Sequence, residues 1–176
     1  NYDPFDPLTL KDAHSELSTE MLSKVEKREA APVLMVAGTV YPQGRVIPAV
    51  LKGITPDQEV VQIPFKNLNK GVPEGVLPAS IGRSMARQTQ LEKNDVITVQ
   101  WRNSKGAFNA VDLMIVDIFD SKVPNMDMGQ VWLRWSDLQK MNLSPNHATI
   151  VISATPVEDG QKAEWISKAL DTLLQD

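Results

Sequence analysis

The segment from Val96 to Phe119 restricts the fold more than any other part of the chain. Val96, Thr98 and Gln100 alternate with Ile97, Val99 and Trp101, the two-residue period of a strand with one covered and one wetter face. The polar turn Arg102-Asn103-Ser104-Lys105-Gly106 follows, and then the long strand-like run Ala107 to Phe119. Asn109 and Asp112 mix with apolar neighbours in the first half of that run, whereas Leu113 to Val116 reads as buried on both faces. The two strands joined by this short turn pair antiparallel as a hairpin.

Helical and extended signals are distributed on either side. Residues 1–17 are turn-rich and acidic and read as an extended arm. Ser18 is a good N-cap for a short helix with Met21, Leu22 and Val25 on one face, ending near Glu29. Ala31 to Val40 predicts a buried strand, Tyr41-Pro42-Gln43-Gly44 a turn, and Arg45 to Ile54 a second strand. Pro48 has no N–H to give a ladder, which predicts an edge or a bulge there. Thr55 to Pro78 reads as a loop. Ser80 then predicts the cap of a helix with Ile81, Met85 and Leu91 inward, and Asn94 the positive-φ residue of its exit. Gln130 to Trp135 predicts a strand, and Ser136-Asp137-Leu138-Gln139 a capping box opening a helix with Leu138 and Met141 inward. Ala148 to Ser153 predicts a strand, and 159–174 a final helix burying Ile166, Leu170 and Leu173 beside Trp165. The result is an α+β chain with hairpins in the middle and strand–helix units at the ends.

Composition removes several function classes. The 176 residues carry a net charge of −4, without the basic face that nucleic acid needs. With no cysteine, disulfides and thiolate metal sites are excluded. The longest apolar run, Ala31 to Gly38, is far below the roughly 20 residues of a membrane span. The opening Asn1-Tyr2-Asp3-Pro4 is no signal peptide and has no initiator Met, which points to a processed or excised piece of a longer chain.

Catalytic constellations are missing where they would be easy to find. The sequence has no G-x-S-x-G elbow, S-x-x-K, H-E-x-x-H or Gly-Lys phosphate loop. His14 and His147 lack a second ligand at metal spacing, and His147 reads as a turn residue. Asp3, Asp6 and Asp12 have neither the glycine nor the distal glutamate of a calcium loop. Trp132, Trp135 and Trp165 sit at packing positions. Trp101, at a strand end beside a polar turn, is either a rim residue or an anchor for a partner; Asn103 and Phe108 on the same hairpin complete the candidate contact set. No catalytic, cofactor or metal residue is assigned.

The run Ser80-Ile81-Gly82-Arg83-Ser84-Met85-Ala86-Arg87, then Leu91 and Asn94-Asp95-Val96-Ile97-Thr98-Val99, resembles a motif of ABC-transporter permeases. It is that of the extracytoplasmic domain of MacB/FtsX-type and LolC/LolE-type chains, roughly "iG..lA..l.l..GD.v.v". Gly82, Met85, Ala86, Leu91, Asp95, Ile97 and Val99 match it, and Asn94 stands in for the usual glycine. Val50 to Pro56, Leu113 to Phe119, Gln130 to Gln139 and the terminal strand and helix resemble further segments of that domain, so that the likeness covers most of 20–175. It implies a porter-like subdomain from 1–52 and 146–176 with an inserted, mostly β, sabre-like subdomain from 53–145. It further implies a non-catalytic periplasmic domain of an inner-membrane permease that couples ATP-driven motion to the export or release of a lipoprotein, peptide or amphiphile. The partners implied are an ATPase subunit, a second permease copy or paralogue, and a periplasmic adaptor or lipoprotein carrier. LolC-type chains carry a long hook after the Trp101 strand, where this chain has only Arg102 to Gly106; a LolE-like subunit or a MacB-like efflux permease fits that better. Two other readings stand beside it: a free-standing regulator of the kind that activates a cell-wall hydrolase, and a hydrolase using Asp or Ser.

Overall fold

The computed structural model describes residues 13–120 and 129–153. The arm before Ala13, with Asp3, Asp6 and Asp12, and the final helix with Trp165 lie outside the described residues. The sequence has built a closed barrel. Strands β2 (Ala30–Tyr41), β3 (Ile47–Ile54), β4 (Val76–Gly82), β5 (Val96–Arg102), β6 (Phe108–Phe119) and β7 (Gln130–Arg134) form it. Their order is β3-β7-β4-β6-β5-β2, and β2 returns to pair with β3, so that no strand of the six is left at an open end of the sheet. Helices α1 (Thr19–Glu26), α2 (Arg83–Thr89) and α3 (Trp135–Asn142) complete the fold with two short outer strands, β8 (His147–Ala148) and β9 (Ile150–Ser153). A two-residue β1 (Ser15–Glu16) pairs with β8, and β9 extends the sheet on the first residues of β2, Ala30 to Val33. The two ends of the described chain are thereby tied side by side.

Alternation explains the barrel's interior. Ile97, Val99 and Trp101 of β5, Leu113 and Ile115 of β6, and Val131 and Leu133 of β7 all point into one cluster with Leu34, Val36, Val40 and Leu51. Val96 and Thr98 on the opposite face of β5 are exposed. Burying about a dozen such side chains is the main stabilising term, at roughly 1.5–3 kcal/mol each. Two helices plug the barrel: α2 at one mouth with Met85 and Ala86, α3 at the other with Leu138 and Met141. Close approach at the α3 mouth requires Gly53, where a Cβ would lie 3.0 Å from Leu138 Cβ and 3.1 Å from Trp135 Cα. A second apolar layer lies outside the wall, where Phe65 and Leu68 of the 55–75 segment cover Trp132, Phe119, Val116 and Ile54.

Several expectations hold. Ser18 caps α1, accepting from Met21 N–H at 3.2 Å. Pro48 faces Thr39 of β2, while the ladder to β7 starts only at Val50, so its missing N–H breaks no bond on that side. Asn94 does take a positive φ, 76°. Others are corrected. The predicted loop 55–78 ends in β4, which continues through Ser80 to Gly82; the helix begins at Arg83, with Gly82 as N-cap and no side-chain cap. All of Pro78 to Gly82 is buried, so this strand has no polar face to alternate with. The left-handed exit of α2 is Gln90 (φ 58°); Asn94 serves the next turn, where Asp95 Oδ2 accepts backward from Glu92 N–H at 2.8 Å. The capping box at 136–139 does not form either. Arg134 is the N-cap of α3, and its guanidinium holds the Asp137 carboxylate instead.

Candidate functional site

The three candidate contact residues lie together at the α3 mouth of the barrel, on the β5–β6 hairpin, but in different roles. Trp101 is 5% exposed, and its indole Nε1 donates to the Met141 carbonyl at 3.1 Å. It therefore fastens the hairpin to α3 and offers no surface. The polar turn beside it suggested an open rim, because sequence does not reveal that a helix 40 residues later covers the ring. Asn103 is 7% exposed and is the core of the turn: its Oδ1 accepts from Lys105 and Ala107 N–H, both at 3.0 Å. Gly106, at φ 81°, closes the turn. Only Phe108 reaches out. It is 71% exposed, and the Arg102 guanidinium lies 5.8 Å from its ring centroid.

The hairpin tip is thus a rigid mount for one exposed aromatic ring. Its neighbour is the turn after α3, where Ser104 N–H donates to the Asn142 carbonyl at 3.2 Å. Leu143 there holds a left-handed φ of 54° and is 48% exposed. Leucine at such a position carries a steric cost that glycine would avoid. Arg102, Lys105 and Lys140 surround the two apolar residues, and all three are exposed. Among the described residues, none of the three forms a salt bridge.

Spacing along the chain could not bring His14 and His147 together, yet the β1–β8 pairing does. Their Nδ1 atoms are 2.8 Å apart. Asn142 Nδ2 lies 3.2 Å from His14 Nε2, so that the amide and the two imidazoles form one polar chain. Instead of a turn residue alone, His147 is half of a clasp between the first described residues and the β8 strand. Among the described residues no group of three His, Asp or Glu side chains could hold a metal ion. Trp132 is packed as expected; Trp135 is half-buried, with Nε1 donating to the His147 carbonyl at 2.9 Å.

Elsewhere the described residues form a shallow groove of about 340 Å³ between α1, the 55–58 turn and the start of α3, floored by Val25, Pro56 and Trp135. On the outer wall, Lys52 lies over the Trp132 ring at 5.3 Å, and burial lowers its pKa from the ordinary lysine value. No helix among the described residues is long and apolar enough to cross a membrane.

No protein-family model matches the sequence, and no curated protein matches it. Solved structures do. The extracellular domain of a noncanonic ABC-type transporter, YknZ, from Gram-positive bacteria is similar at a TM-score of 0.51 and 14% identity, over 92% of this chain and 84% of that one. The periplasmic region of MacB from Actinobacillus actinomycetemcomitans is similar at a TM-score of 0.49 and 12% identity, over 82% of this chain. This chain spans 66% of that region's length. The chain has the fold of the extracytoplasmic domain of an ABC-type transporter permease.

Proposed function

We propose that the chain is the extracytoplasmic domain of an ABC-transporter permease, on the outer side of a bacterial inner membrane. It would relay ATP-driven motion of the membrane part to a path for a lipoprotein, peptide or amphiphile. The observation that supports this best is the fold likeness to the YknZ domain over nearly the whole chain. A barrel plugged at both mouths, with its first and last described strands held by β1–β8 and β2–β9, suits a body that must move as a unit. Such work requires rigidity and a contact surface, not bond chemistry. ATP hydrolysis then belongs to a separate or fused ATPase, and a second permease copy or paralogue completes the membrane part.

The porter-like part (1–52 and 146–176) and the sabre-like part (53–145) belong to the same reading. Its support is the lateral pairing of the two chain ends; β3 crosses the first boundary, which makes the barrel wall common to both parts. Phe108 is the candidate contact for an adaptor or carrier, with Trp101 and Asn103 as the supports beneath it. Affinity purification of the intact gene product from detergent-solubilised membranes tests the reading. Recovery with a nucleotide-binding subunit and ATP hydrolysis by the complex is the expected result. Recovery of the protein with a soluble cell-wall hydrolase, and without any ATPase, would favour the regulator instead.

A further inference from the structure

The α3 mouth carries an unusual combination for an acidic chain. Phe108 and Leu143 are large, apolar and exposed, at 71% and 48%. They are flanked by Arg102, Lys105 and Lys140, which are exposed and form no salt bridge among the described residues; Arg102 Nε donates to the Gly106 carbonyl at 2.7 Å. The Ser104–Asn142 and Ser104–Leu143 hydrogen bonds make the hairpin tip and the α3 turn one continuous ridge. The nearest carboxylate on the Phe108 face of β6 is Asp112, four residues and about 13 Å along the strand, and it accepts from Thr98 Oγ1 at 2.7 Å.

We propose that this ridge docks on an anionic lipid surface. An aromatic ring and a leucine can enter the headgroup boundary while the three cations face the phosphates. Phe108 needs little ordering to do so, because Asn103 and Trp101 already fix the tip. Each basic side chain near such a surface contributes about a fivefold gain in partitioning, so three reach about a hundredfold. Together with the apolar insertion of Phe108 and Leu143, that gain is enough to hold the free protein on anionic vesicles at low salt. The inference does not depend on the transporter reading, since the ridge is a property of this surface alone.

Co-sedimentation of the 176-residue protein with vesicles tests it, using equal parts phosphatidylglycerol and phosphatidylcholine. Binding is expected at low salt, not in about 1 M salt, where the screening length falls to about 3 Å, and not to pure phosphatidylcholine. Lys105→Gln with Lys140→Gln should weaken it about thirtyfold, and Phe108→Ser should abolish it. Both variants change exposed side chains and keep the fold, which circular dichroism checks. Val46→Ser removes an equally exposed apolar residue at the other mouth and should bind like the native protein. Three outcomes would each overturn the proposal: no binding to anionic vesicles, equal loss with Val46→Ser, or binding to polyglutamate without binding to vesicles. The last would assign the ridge to an acidic protein.

Discussion

The two mouths of the barrel are closed by the same device and differ in how many of their cations have a carboxylate beside them. At one, α2 inserts Met85 and Ala86, and two cations beside it are paired, Arg83 with Asp120 at 3.1 Å and Lys93 with Asp117 at 3.9 Å, while exposed Arg87 forms no salt bridge among the described residues. Arg45 there spends its guanidinium on the carbonyls of Gln88 and Thr89, at 3.2 and 2.7 Å. At the other, α3 inserts Leu138 and Met141, and the hairpin leaves three cations without carboxylates beside two exposed apolar residues. Core packing therefore does not distinguish the mouths. The difference lies in what each leaves unpaired, and an unpaired amphipathic edge is where a partner has something to gain.

The largest test of that contrast concerns the plugs. Trp101→Ala should cost about 3–5 kcal/mol, since it opens a cavity and removes the bond to Met141. Met85→Ala at the other mouth should cost about 2–5 kcal/mol. Urea denaturation gives both values, and hydrogen exchange separates them: Trp101→Ala should speed exchange at Lys105 and Ala107, and Met85→Ala should not. A smaller effect sharpens the charge argument. Asp117→Asn with Asp120→Asn frees Lys93 and Arg83 next to exposed Val46 and Val96, and should raise retention on anionic vesicles by at most about thirtyfold. No gain would show that unpaired cations alone do not make a docking face.

Lys52 provides the smallest effect, away from both mouths. Its folded pKa lies below its unfolded value, so the protonated amine is disfavoured in the native wall. The penalty is full below the folded pKa and fades as pH rises toward the unfolded value of 10.5. Lys52→Met should therefore stabilise the protein at neutral pH, less what the contact with Trp132 contributes. The gain should shrink as the pH of the urea titration is raised toward 10.5.

Much of this was legible in the sequence, for physical reasons that also mark the limit. The β2–β3 and β5–β6 hairpins are local, β5 with a wet and a dry face and β2 as a long apolar run, so pattern and turn chemistry sufficed. β4 was not, because its residues are buried on both faces and punctuated by Pro78, and its bonds go to β6 and β7, far along the chain. Ser80 looked like a cap. It is instead buried in that strand, its hydroxyl without a hydrogen-bond partner among the described residues, directly opposite Trp132. Closure of the barrel depends on β2 meeting both β3 and β5, and no window of sequence contains that. For the same reason the sequence left Trp101 open between a rim residue and an anchor; α3 covers its ring, which makes it the rim residue, and Phe108 is the one of the three that is exposed. Lys105, Lys140 and Leu143 were missed because only the fold brings the α3 turn beside the hairpin.

The most direct test of the functional account is to read the native gene product on both sides of these residues and to fractionate it from cells. The account predicts apolar spans of about 20 residues on the flanks and recovery in the membrane fraction. A native chain without such spans, recovered in the soluble fraction, would contradict it.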